Sequence, residues 1–160
     1  MQIVEQTAII EAPLATVMDA VKDIEGIPHW ATVKGTVEPA PDLPGNYFWR
    51  FEVGHLKFAG KLKVIEQTKN SLITRTTGDV DSIWTINVTA VGKSSTAIQV
   101  VVEYTLPNTF VEPLVDLVMQ QLTSPEAAKE NMRRFKAMVE ERKNISTDRE
   151  AVAVSKLGNA

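Results

Sequence analysis

The chain has 160 residues, of which 44% are hydrophobic and 23% charged, with a net charge of −3 and no cysteine. That length suits one domain burying roughly 68–70% of its unfolded surface, enough for a sizeable core with an internal cavity. The acidic balance argues against a nucleic-acid partner, which needs a concentrated basic face, and the missing cysteines remove disulfides, thiolate metal sites and cysteine nucleophiles. A cysteine-free chain suits a reducing cytoplasm. No apolar run approaches the ~18 residues of a membrane span. The opening MQIVEQTAII reaches Glu5 without a basic start or an apolar signal core. A cytoplasmic protein without an integral membrane segment is therefore expected.

Residues 2–10 are rich in β-branched side chains and read as a strand. Pro13 then suits the first position of a helix, where its missing N–H costs nothing. Val17, Met18 and Val21 give that helix an apolar stripe. A second short helical piece around Ile24 is broken by Gly26 and Pro28. Strand character resumes over 32–38, and Pro39, Pro41, Pro44 and Gly45 make a turn-rich loop. Strands are predicted over 47–53 and 56–67 about a Gly54-His55 turn, over 72–77 after Lys69-Asn70-Ser71, and over 82–91 and 96–106 about Gly92-Lys93-Ser94. Asp79 and Asp81 read as turn residues. Helical periodicity returns at 110–122, with Val111, Val115, Val118 and Leu122 on one face. Thr123 and Glu126 have capping-box spacing and Pro125 falls at a first helical position, so a break is expected near residue 124. A last helix is predicted over 125–143, with Ala128, Met132, Phe135, Val139 and Arg142 in phase. Residues 1–143 then form one domain. Residues 144–160 have no clear partner face and are expected to be a flexible tail.

The strands alternate. Tyr47, Trp49, Phe51 and Val53 oppose Arg50 and Glu52, and Leu56, Phe58, Leu62 and Val64 oppose Lys57, Lys61 and Lys63. Trp84, Ile86 and Val88 oppose Thr85 and Asn87, and Ile98, Val100, Val102 and Tyr104 oppose Gln99 and Glu103. One apolar and one wet face is the pattern of an antiparallel sheet covered on one side. The C-terminal helix is the only element long enough to cover it.

Strand, two short helices, a meander and a long helix, in that order, resemble the helix-grip fold of the START and birch-pollen-allergen superfamily (SRPBCC). Bacterial polyketide cyclase/dehydrase-like members are the nearest in pattern. The resemblance covers about residues 3–142. It is carried by IIEAPLATVMDAVKDIEGIPHW, GNYFWRFEV, KLKVIEQTKNSLITRTTGD, YTLP before the long helix and RRFKAMVEE near its end. It implies an α+β architecture, a curved antiparallel β-sheet wrapped around a long C-terminal α-helix, with a cavity between them. Trp30, Trp49, Phe51, Phe58, Trp84, Tyr104, Met132 and Phe135 then become candidate ligand-binding residues, against the plainer reading that they fill the core. Trp30 would pack where the second short helix meets the sheet, beside the cavity.

Polar anchors are few. His29 would lie near the rim. Arg75 would hold a ligand carboxylate or enolate if it faces in, and is an ordinary sheet charge if it faces out, the favoured alternative. His55, at a hairpin tip, reads as surface. Asp23, Glu25 and His29 sit on a turning segment without the i, i+4 pairing of a metal site, so neither metal nor cofactor is expected. No Gly-x-Ser-x-Gly elbow, HExxH or phosphate loop occurs, and no catalytic residue is assigned. Lys57, Lys61 and Lys63 form a solvated basic row. The favoured reading is a carrier or sensor for a hydrophobic or aromatic small molecule, lipid-, polyketide- or quinone-like, in a monomer or homodimer. One alternative is an aromatase/cyclase or dehydratase on a polyketide-like substrate, which requires titratable groups converging inside. Another is an interaction module with a filled core.

Overall fold

The structure, a computed structural model, describes residues 2–105 and 123–158, with side chains as far as residue 142. Seven strands run β1 (Gln2–Ile10), β2 (Lys34–Pro39), β3 (Asn46–Val53), β4 (Leu56–Gln67), β5 (Ser71–Gly78), β6 (Asp81–Gly92) and β7 (Ser95–Thr105). All neighbours are antiparallel, in the order β1-β7-β6-β5-β4-β3-β2. β2 to β7 are a meander of neighbours in sequence. β1 crosses to the far edge and pairs with β7. The crossover from β1 to β2 carries α1 (Leu14–Lys22) and a 3-10 helix (Ile24–His29). The curved sheet and α2 (Pro125–Gly158) make the helix-grip architecture expected from the sequence.

Several local expectations shift. Pro13 is the N-cap of α1 rather than its first residue: its backbone is extended and its carbonyl accepts the first helical hydrogen bond, from Val17 N at 3.1 Å. β2 begins at Lys34 rather than near residue 32: Trp30 N and Ala31 N both turn back to Ile27 O, at 3.2 and 2.9 Å, so the chain is still leaving the 3-10 segment there. At the start of α2, Ser124 takes the capping role expected of Thr123. Its hydroxyl accepts from Ala127 N at 3.1 Å, while the Thr123 hydroxyl donates to Gln2 Oε1 at 3.1 Å. The chain bends at Ser124 and Pro125 opens the helix, as its spacing predicts. Helical backbone continues past residue 143 to Gly158. The helix expected over 110–122 lies outside the described residues.

The core lies on the concave face. Ile10, Leu72, Val88 and Ile98 of the sheet meet Val17, Met18 and Val21 of α1 and Met132, Phe135 and Val139 of α2. Met132, Phe135 and Val139 recur at the spacing that keeps one helix face inward. Among the described residues no helix is long and apolar enough to cross a membrane.

Candidate functional site

The sheet and α2 do not close on each other. Between them lies a cavity of about 210 Å³. An engineered apolar cavity of roughly 150 Å³ already admits benzene. Its floor is the concave face of the sheet, with lining side chains from all seven strands. Its roof is Ala128, Asn131, Met132 and Phe135 of α2 with Ile24, Ile27 and Trp30 of the 3-10 segment.

The aromatic rings explain part of the opening. In register, Trp49 faces Gly60 of β4 and Phe51 faces Gly35 of β2. A Cβ on Gly60 would stand 2.6 Å from Trp49 Cζ2, and one on Gly35 would stand 2.9 Å from Phe51 Cε1. Both rings therefore lie down over glycines, where a side chain would make them stand up into the interior. The two rings stack at 5.7 Å and 24°, and Trp49 Nε1 donates to Lys61 O at 3.1 Å, so the larger ring is fixed low on the sheet. Trp30 meets Phe135 edge to face at 5.5 Å and 81°, which ties the 3-10 segment to α2.

All eight residues expected to contact a ligand line this cavity: Trp30, Trp49, Phe51, Phe58, Trp84, Tyr104, Met132 and Phe135. The two suggested polar anchors do not. His29 is exposed at the end of the 3-10 helix, because Pro28 and the turn aim the next residue, Trp30, inward instead. Arg75 is exposed because β5 alternates about Leu72 and Thr74, both buried, which sends residue 75 outward. Among the described residues no group of His, Asp or Glu side chains could hold a metal ion.

The polar lining comes from residues not expected as anchors: Gln6, Thr74, Thr76 and Ser82, with Thr32, Thr123, Ser124 and Asn131 from the helical side. Strand phase groups the strand residues among them with the apolar lining once each inward face is known. Gln6 is in phase with Val4 and Ile10, Thr74 and Thr76 with Leu72, and Ser82 with Trp84. The strand register sets Tyr104 beside Ser82 and Ser82 beside Thr76 in one row across β7, β6 and β5. Within that row Thr76 Oγ1 and Ser82 Oγ are 2.5 Å apart, Trp84 Nε1 donates to Ser82 Oγ at 3.1 Å, and Thr76 Oγ1 donates to Val80 O at 3.1 Å. Burial pushes the Tyr104 phenol well above its ordinary pKa, so it stays protonated. At the opposite side Asn131 Oδ1 accepts from Thr32 N at 2.8 Å, and Asp23, which also lines the cavity, pairs with Arg142 at 3.6 Å. Asp23 and Tyr104 are the titratable side chains among the described lining residues.

The chamber is lined mainly by apolar side chains, with hydroxyls gathered at one end. Solved structures share the architecture. An aromatase/cyclase (Zhui) from Streptomyces sp. R1128 is 13% identical, covers 88% of this chain and 94% of its own, and has a TM-score of 0.68. A START superfamily protein from Mycobacterium smegmatis is 19% identical, covers 89% of this chain and 97% of its own, and has a TM-score of 0.62. A protein from Deinococcus radiodurans is 16% identical over 88% of this chain and 98% of its own, with a TM-score of 0.66. At such identities the likeness is one of fold. No curated protein matches the sequence. The family described as polyketide cyclase / dehydrase and lipid transport matches residues 1–140, nearly the whole chain, and the chain belongs to that family.

Proposed function

We propose that this protein binds a hydrophobic or aromatic small molecule, lipid-, polyketide- or quinone-like, in the cavity between sheet and helix, and acts as a carrier or sensor. The observation that carries the reading is the cavity itself: about 210 Å³, floored and roofed by aromatic and aliphatic side chains with a few fixed hydroxyls. Such a lining desolvates an apolar ligand and orients it with few polar contacts. A filled core would have left no such space. The membership of a family that includes lipid transport supports the reading. So does the fold shared with a START superfamily protein. We assign the protein to the cytoplasm, which a cysteine-free chain suits.

A second reading, ring closure on a polyketide-like chain, is favoured by the row of Tyr104, Ser82 and Thr76, which could hold a reactive chain in shape. General acid–base chemistry asks for more. Of the two titratable groups among the described lining residues, one is an exposed carboxylate paired with Arg142 and the other a phenol that keeps its proton.

Native mass spectrometry on protein purified without detergent tests the binding reading. We expect an adduct of a few hundred daltons, released on denaturation, and quenching of tryptophan fluorescence on rebinding, since all three tryptophans line the cavity. No adduct, together with no uptake of an apolar dye, would overturn it.

A further inference from the structure

Resting on the binding reading above, we propose that the cavity selects an uncharged ligand bearing a hydroxyl, phenol-like in character, seats that hydroxyl against Ser82, Thr76 and Tyr104, and rejects carboxylates.

Thr76 has one hydroxyl hydrogen, and it goes to Val80 O at 3.1 Å. The 2.5 Å contact between Thr76 Oγ1 and Ser82 Oγ then takes its hydrogen from Ser82. Ser82 Oγ in turn accepts from Trp84 Nε1 at 3.1 Å. Both hydroxyl hydrogens are committed, while each oxygen keeps one lone pair. The pair therefore offers acceptors to a ligand. A ligand O–H satisfies it, and a carboxylate, which only accepts, meets like with like. Beside Ser82 in register stands Tyr104, whose protonated phenol can donate to the same ligand oxygen. A hydroxyl, donor and acceptor at once, uses both.

Charge gives the same answer. Among the described residues the cavity lining contains no Lys, Arg or His, and its one ionised side chain is the Asp23 carboxylate. Arg142, the cation next to it, is already paired with it. Residues 106–122 contain Glu112 and Asp116 and no basic residue, so that segment can contribute no cation. The first turn of α2 offers little to an anion. Pro125 has no N–H, Ser124 Oγ takes the Ala127 N–H, and Glu126 adds a negative charge there. An anion entering this space would lose its water and gain no counter-charge.

The test is equilibrium dialysis of the full chain at pH 7 against three ligands of nearly one shape: 2-methylnaphthalene, 2-naphthol and 2-naphthoate. We expect 2-naphthol to bind on the order of tenfold or more tighter than 2-naphthoate, and roughly 3–10-fold tighter than 2-methylnaphthalene. In Tyr104→Phe and Ser82→Ala the lead of 2-naphthol over 2-methylnaphthalene should shrink, the ratio being taken within each variant so that any change in the cavity common to both ligands cancels. Equal or tighter binding of 2-naphthoate would overturn the inference, as would a 2-naphthol lead that survives both substitutions. If none of the three binds, the binding reading falls with it. If 2-methylnaphthalene binds and the other two bind no better, only the present inference falls.

Discussion

Tyr104 shows how one side chain links the cavity to solution behaviour. The unfolded chain ionises a tyrosine near pH 10, whereas burial keeps the folded phenol protonated to higher pH. Its contribution to stability is thus complete below about pH 10 and is lost as pH rises toward the folded value. Urea midpoints should therefore fall more steeply above about pH 10 in the native chain than in Tyr104→Phe; parallel slopes would show that the phenol is not desolvated. Trp30 carries a different load. Its ring is only partly buried yet clasps Phe135 at 5.5 Å. Trp30→Ala should cost about 2–3 kcal/mol, less than the ~3–5 kcal/mol of a fully buried ring. At ~2–4 °C per kcal/mol for a chain of this size, a thermal melt reads the difference directly. An unchanged melting temperature with weakened ligand binding would make the ring a ligand contact alone. Gly60 matters for what it lacks. Gly60→Ala would set a methyl against the Thr77 carbonyl and 2.6 Å from the Trp49 ring. A destabilisation of about 1–3 kcal/mol is expected, together with weaker uptake of an apolar dye as Trp49 is pushed up into the cavity. Unaltered dye binding would show that the ring has another way to move.

At the scale of elements, the roof is two pieces joined by few bonds. The 3-10 helix and the residues after it hang on α2 through the Trp30–Phe135 contact, the Thr32 N to Asn131 Oδ1 bond at 2.8 Å, a 3.4 Å bond from Arg134 Nη1 to Ala31 O, and the 3.6 Å pair of Asp23 with Arg142. Replacing Asn131 with Ala should speed hydrogen exchange at the Thr32 amide and its neighbours while β6 and β7 keep their protection. Uniform loss of protection would mean that the roof and the sheet open together. On the outer face of α2, Glu130 binds Arg133 and Arg134, and these hydrogen bonds hold its carboxyl down to about 2. Its small, solvent-screened contribution is present above the ordinary carboxylate range and fades only as pH falls toward that value. Strands and helices were legible where the period was clean. β3 and β4 alternate large apolar with charged residues, so their inward faces read off directly. β5 did not yield its face, because LITRTT sets threonines on both sides and period two cannot choose between them. The register settles it: Leu72 lies opposite Ile86 and Thr74 opposite Trp84, both on the cavity side. The Thr123 cap misread has a similar origin. Two adjacent hydroxyls suit one cap, and it is Gln2, far away in sequence, that takes the other.

For the molecule as a whole, the layer arrangement was legible because only one long amphipathic element was available to cover the meander. The aromatic lining was legible for the same reason, since the inward faces of β3, β4, β6 and β7 were already marked by their apolar residues. The polar end of the cavity was not. Hydroxyls in a strand carry no hydrophobic signal, and only pairing brings Tyr104, Ser82 and Thr76 into a row. The edge position of β1 also has a consequence in time. Every other strand pairs with a neighbour in sequence, but Gln2 pairs with Tyr104 and Ile10 with Thr96. A chain emerging from a ribosome can zip β2 through β7 hairpin by hairpin, while β1 waits alone until the last strand has been made. Closing so long a loop costs entropy that short hairpins do not incur. Pulse-labelled refolding should thus find the β1 amides protected last; protection of β1 ahead of β4 and β5 would show that the sheet nucleates at its edge. Until that final pairing, the concave face is open at one side, and the chamber begins to exist only when the first-made strand is the last to join.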